Sequence, residues 1–232
     1  MASLTEKTVR GGGASSSTLA EVTDPVIHDC PYTVRKDGSL THEHFQLREC
    51  RIVAGLRLDG LSDEEIVDLA KRDNIFQYPT QTQIGNIAWT MLNRLDALCD
   101  EGLVDLLAHG FPEQAAQVNL YAMMRVYAIV RELLANEVAS HYRMLDYEFT
   151  REDMNAFITR YQAENASAAT WSESTVKRIH SALVEILVSA GYLEDNRSTD
   201  LLRVFLDPDL EDVMVRNGDG SWLPAFNRME VA

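Results

Sequence analysis

The stretch WSESTVKRIHSALVEILVSAGYL, residues 171–193, decides the fold class. Projected at about 100° per residue, it puts Val176, Ile179, Leu183, Ile186, Leu187 and Ala190 on one face. Ser174, Lys177, Arg178, Ser181 and Glu185 fall on the other. This period predicts an amphipathic helix over residues 172–190. Ser172 or Ser174 supplies its cap, and the free backbone N–H groups of the first turn suit an anion. Lys177 and Arg178 point outward, and only one acid, Glu173, accompanies them within residues 172–184.

That pair stands out because the whole chain is acidic. Among 232 residues there are 21 Lys and Arg against 36 Asp and Glu, a formal net charge of −15. Such a field repels a phosphate backbone, so any nucleic-acid contact must be local. A helix held by core packing on one face, with cations near the N-terminal half of the other, has the form of a recognition helix that enters a major groove. The same residues also describe an ordinary solvated helix face.

Working outward, every strong signal is helical. HEHFQLRECRIVAGLRL begins at His42, with Gly60 beyond it as a stop. SDEEIVDLAKRDN follows, where Ser62 and Glu65 form a capping box and Asp63 and Glu64 suit a helix N-terminus. After NIFQYP comes TQTQIGNIAWTMLNRLDAL, whose Ile84, Ile87, Ala88, Met91, Leu95 and Leu98 share a face. Thr82, Asn86, Trp89 and Asn93 lie opposite, with Arg94 at the flank, and are candidate contacts to DNA or to a partner protein. Trp89 is expected to pack against the central segment, the alternative being an exposed anchor.

Residues 111–148 are apolar on more than one face, as a central helical segment is. TREDMNAFITRYQAEN is a helix capped by Thr150, and a shorter helix is expected over residues 198–206. Asn217-Gly218-Asp219-Gly220 between short apolar runs predicts a C-terminal β-hairpin, with RNGDGSW available as a wing.

The expected architecture is therefore all-α, a multi-helix globular fold with two helix-turn-helix or winged-helix-like units. A flexible tail spans 1–25, the first unit 38–110, the central segment 111–148, the second unit 149–215, and the hairpin or tail 216–232. In each unit an acidic-capped helix, a loop and a Ser/Thr-capped helix succeed one another. The second loop, AENASAAT, is longer than that of a tight helix-turn-helix.

No run of about 18 apolar residues suggests a membrane span, and the polar N-terminus lacks the apolar centre of a secretory signal. A cytoplasmic protein is expected, with no membrane partner. Cys30, Cys50 and Cys99 are odd in number and widely spaced, which predicts reduced, packed thiols. Nothing in the chain has the form of a catalytic motif. His42 and His44 diverge on a helix, no phosphate-cradling GxxxxGK[ST] occurs, and Asp207, Asp209, Glu211 and Asp212 lack the Gly and Glu of a calcium loop. We expect no metal, no cofactor and no enzymatic activity.

Several segments resemble one family. WSEST (171–175), an amphipathic helix and AGYLED (190–195) are similar to the closing helix-turn-helix of the BrxA family of bacteriophage exclusion (BREX) defence systems. ECRIVAGLRLDGLSDEEI, NIFQYPTQTQ and LNRLDAL follow in the same order as in that family. The resemblance covers about residues 38 to 210. It implies an all-helical, non-enzymatic protein encoded with methyltransferase and ATPase-type defence components and proposed to bind double-stranded DNA. Carried over by position, the DNA contacts are Ser174, Thr175, Lys177, Arg178 and Ser181, and the other partners are BREX proteins. The first unit departs from the pattern: Gln83, Gly85 and Asn86 follow Thr82 where relatives tend to place basic residues. The competing reading is an acidic helical adaptor that docks other defence components without touching DNA.

Overall fold

The computed structural model describes residues 30–228. The tail expected over 1–25 lies outside them, as do residues 229–232. Among the described residues the fold is all-α, with no strand beyond a single antiparallel bridge between Glu148 and Asp200.

The first helices are set by local chemistry. Helix α1 (Leu47–Leu58) leads to α2 (Asp63–Asp73), which carries the expected capping box. Ser62 Oγ accepts from the Glu65 N–H at 3.3 Å, and Glu65 Oε2 accepts from the Ser62 N–H at 2.8 Å. Helix α3 (Gln81–Leu98) starts at Thr80, whose Oγ1 accepts from the Gln83 N–H. Arg57 ties the three together by ion pairs to Asp63 (2.8 Å) and Asp96 (2.7 Å). A further helix that the sequence reading passed over, α4 (Glu101–His109), is capped by Asp100 and packs on α1.

The central segment is helical but broken. Helix α5 (Pro112–Val126) ends at Tyr127, whose φ −120° and ψ 116° are extended. Helix α6 (Ala128–Glu132), a π-helical turn (Leu133–Val138) and α7 (Ala139–Met144) follow. Such a break orphans backbone groups on both sides. Here residues 30–45 cross the gap as a strap and satisfy them. The Arg35 N–H donates to the Val126 carbonyl at 2.9 Å, and Asp37 Oδ1 accepts from the Ile129 N–H at 2.9 Å. Nearly every side chain from Ala115 to Val130 is buried, so the segment is the core, as expected.

Helix α8 (Arg151–Glu164) is capped by Thr150 and Asp153, and α9 (Glu173–Ser189) by Ser172. Beyond α9 the expectations need correction. Residues 198–206 form no helix. Leu201, Val204 and Leu206 are buried from an irregular run whose backbone bonds to neighbours: the Leu201 N–H to the Tyr147 carbonyl, the Leu202 N–H to the Tyr192 carbonyl. Nor is there a C-terminal hairpin. Asn217 to Asp219 do make a turn, with Gly218 at φ +79°, but it joins α10 (Pro208–Arg216) to a 3-10 helix (Gly220–Phe226). That turn is no free wing. Asn217 Nδ2 donates to the Leu98 carbonyl, and Asp219 accepts from Tyr121 Oη at 2.7 Å with Arg125 3.4 Å away.

The thiol expectation also fails for two of three cysteines. Cys30 and Cys99 form a disulfide that fastens the strap to the end of α3, and Cys50 alone is free and buried. Their separation of 69 residues hid the pairing, because spacing along the chain carries no information about approach in space.

Candidate nucleic-acid interface

Helix α9 is built as its period requires. Ile179, Ala182, Leu183, Ile186 and Leu187 are buried, with Ala190 just beyond, while Val176 is half-buried at the rim. Burying this row against the core fixes the helix's rotation, which drives the opposite row into solvent. Lys177 and Arg178 are both exposed, and neither has a carboxylate within ion-pair distance among the described residues. Both side chains therefore face outward, as the period of α9 predicts.

At the start of α9 three hydroxyls converge. Ser172 Oγ accepts from the Thr175 N–H at 3.2 Å and lies 2.9 Å from Ser174 Oγ and 3.0 Å from Thr175 Oγ1. Ser181 is exposed one turn below Lys177, and its hydroxyl donates to the Lys177 carbonyl at 3.0 Å, which leaves its oxygen lone pairs outward as acceptors. Glu185, a turn further, reaches His44 Nδ1 at 3.0 Å. The basic end of the helix and its acidic end thus have different neighbours.

His44 belongs to the other candidate surface. With His42, Glu43, Arg35, Thr82, Gln83, Asn86 and Trp89 it lines an open cleft of about 890 Å³ along the outer face of α3. The His44–Glu185 contact joins this cleft to the polar face of α9, a juxtaposition no sequence period could reveal. Thr82 and Asn86 are exposed. Trp89 does not pack against the central segment as expected. It is 47% exposed, because the buried row of α3 is filled by Ile84, Ala88, Met91 and Leu95 and leaves the indole no core to enter. Asn93 is turned inward to the chain: its amide accepts from the Thr33 N–H at 2.7 Å and donates to the Thr33 carbonyl at 2.9 Å.

Two groups near the cleft take roles that the sequence did not indicate. Arg94, placed at a flank, is fully buried. Its guanidinium donates to the carbonyls of Phe45 (2.8 Å) and His44 (2.7 Å) and lies 5.8 Å from the centre of the Tyr127 ring. It is a brace for the segment entering α1 and is unavailable to a ligand. Glu43 is the other. Burial disfavours its charge, but hydrogen bonds from Arg35, Tyr127 and Ser39 outweigh that and hold its carboxyl below the ordinary range. Glu43 therefore stays ionised in the cleft, with its charge matched by the ion pair to Arg35.

His180, also on α9, is half-buried, with its Nε2 atom lacking any hydrogen-bond partner. Burial and, secondarily, the nearby charge of Arg151 push its pKa down, so the ring is held neutral.

A helical protein with two pairs of capped helices, in which the second helix of each pair shows a polar outer face, is the class these features define. The chain belongs to the BrxA family, whose model matches residues 37–218. It is similar to the BREX protein BrxA of Bacillus cereus (strain H3081.97), with 28% identity over 177 residues covering 75% of this chain and 88% of that protein. It is also similar to the BREX protein BrxA of Escherichia coli O9:H4 (strain HS), with 26% identity over 181 residues covering 78% and 84%. A crystal structure of an uncharacterized protein from Magnetospirillum magneticum shares the fold at a TM-score of 0.68, with 19% identity over 82% of this chain and 96% of that one. Among the described residues no helix is long and apolar enough to cross a membrane.

Proposed function

We propose that this chain is a non-enzymatic, cytoplasmic accessory component of a BREX phage-defence system that binds double-stranded DNA through the N-terminal half of α9. The observation that carries the reading is the side-by-side exposure of Lys177 and Arg178, without a carboxylate partner, in a chain of net charge −15. Ser174, Thr175 and the first-turn N–H groups would add neutral donors to the same phosphates, and Ser181 would lie deeper along the groove face. Thr82, Asn86 and Trp89 would contribute less, since Arg35 in the cleft beside them is paired with Glu43.

Two phosphate contacts predict that affinity falls about tenfold between 50 and 200 mM salt. The test is fluorescence anisotropy with a labelled duplex. Lys177→Ala with Arg178→Ala should remove most of the binding and the salt slope while the circular dichroism spectrum and melting temperature stay those of wild type. Undiminished binding by the double variant overturns the assignment.

A second reading is favoured by one observation, the half-exposed indole of Trp89 at the rim of an open cleft. An exposed Trp is a common anchor of protein interfaces. On this reading the chain is an adaptor for other BREX proteins, and pull-down of those proteins without any shift of DNA would select it over the first.

A further inference from the structure

A second cationic site adjoins the Lys177 stripe of α9, reached one to two turns further along the helix at His180, Ser181 and Val184. Between α8, α9 and the irregular run after α9 there is a pocket of about 450 Å³, within the size range of small-ligand sites. Its polar lining includes Arg151, His180, Asn196, Arg197, Ser198 and Thr199. Its floor is apolar, made by Phe149, Met154, Val184 and Leu193. No Asp or Glu lines it, although acids outnumber bases in the chain by 36 to 21.

The two guanidiniums are not engaged elsewhere. Neither Arg151 nor Arg197 makes a side-chain hydrogen bond or ion pair among the described residues, whereas Arg35, Arg48, Arg57, Arg72, Arg125, Arg160, Arg216 and Arg228 all sit in ion pairs. Two carboxylates two residues from these arginines, Asp153 and Asp195, are engaged by backbone and hydroxyl donors. Asp153 accepts from the N–H and the hydroxyl of Thr150, and Asp195 accepts from the N–H groups of Arg197 and Ser198. His180 also lines the pocket; its Nε2 is closed off from solvent and has no hydrogen-bond partner, a state that is costly for a polar group.

Paired arginines, hydroxyls and a neutral imidazole around an apolar floor are the chemistry that recognises a phosphate ester with a flat or apolar body. We infer that this pocket binds a phosphate group, with Arg151 and Arg197 as its charged clamp, and that its preferred ligand is a phosphate monoester of mononucleotide size whose base lies on Phe149, Met154 and Leu193. This site uses neither Lys177 nor Arg178. A phosphodiester of DNA lying across α9 is the other source of the same group.

Calorimetry of the full chain with adenosine 5′-monophosphate, adenosine and inorganic phosphate separates these sources, run alongside anisotropy with a duplex. Saturable binding of the monophosphate is expected, without binding of adenosine, and weakened about tenfold or more by Arg151→Ala and by Arg197→Ala. Both side chains are exposed, so both variants should melt as wild type does. If the monophosphate does not bind but the same variants weaken duplex binding in a Lys177→Ala/Arg178→Ala background as well as in wild type, the phosphate site stands and DNA supplies the group. If both arginine variants leave monophosphate and duplex binding unchanged, or the monophosphate binds regardless of them, the proposal is wrong. Failure of the Lys177–Arg178 surface alone leaves the monophosphate result intact, which keeps the two readings separable.

Discussion

Asp37 caps α6 from far upstream: its Oδ1 accepts from the Ile129 N–H, 92 residues on, at 2.9 Å while its Oδ2 accepts from Tyr161 Oη at 2.7 Å. One carboxylate therefore joins the strap, the restart of the central helix and α8. Asp37 is only 6% exposed, so removing it leaves a buried N–H and the Tyr161 O–H without acceptors.

Asp37→Ala should accordingly cost about 2–4 kcal/mol, the sum of two lost buried bonds, and lower the melting temperature by roughly 4–16 °C for a chain of this size. Asp37→Asn, which can keep one acceptor for the Ile129 N–H, should recover part of the loss. Differential scanning calorimetry of both variants decides; an alanine variant that melts with wild type would show that the cap contributes nothing.

Glu43 makes stability depend on acid. Its folded pKa is lowered below the ordinary 4.5, burial being outweighed by the hydrogen bonds of Arg35, Tyr127 and Ser39. A carboxyl of this kind contributes its full stability above pH 4.5 and loses it as the pH falls through the lower, folded value. The melting temperature of wild type should drop on acidification below that point. Glu43→Gln should be less stable at neutral pH, and the difference from wild type should shrink towards acid. A difference that stays constant across the titration would contradict this account.

The three cysteines should behave unequally. Cys50 is fully buried, and that burial pushes its thiol up to about 12, so iodoacetamide should leave the native protein unmodified. Unfolding without reductant should expose one alkylatable thiol, Cys50, because Cys30 and Cys99 are joined. Three modified cysteines in the mass spectrum would mean that the link does not form. In a reducing cytoplasm the link would open. The strap would then keep its Thr33–Asn93 and Arg35–Val126 bonds.

What could be read from the sequence follows from the range of each force. The capping box of Ser62 and Glu65 and the two faces of α9 involve neighbours within a turn or two, and the pattern of residues states them directly. The turn at Asn217 to Asp219 was legible for the same reason, but the apolar runs around it fit helices as well as strands, and packing chose helices. Periodicity located Arg94 at a flank without indicating that residues 43–45 and Tyr127 would close over it. Trp89 went the other way, since hydrophobicity predicts burial only where a core is within reach. The break at Tyr127 left no trace in the sequence, because the residues that make it tolerable, Arg35 and Asp37, lie about ninety positions upstream. The clamp of Arg151 and Arg197 was illegible too, as 46 residues separate its two halves.

The strap crossing at Val126 to Ile129 also orders events during synthesis. A ribosome that has released only the first half of the chain exposes the strap and α3, but the Tyr161 hydroxyl that completes the Asp37 site has not yet been made. Contacts spanning up to 124 residues close late, because each must first overcome the entropy of a long loop. The strap can pair early with α3 through Thr33 and Asn93, but Asp37 must wait for Ile129 and then Tyr161, and a fragment ending before α8 keeps only one of its two native bonds.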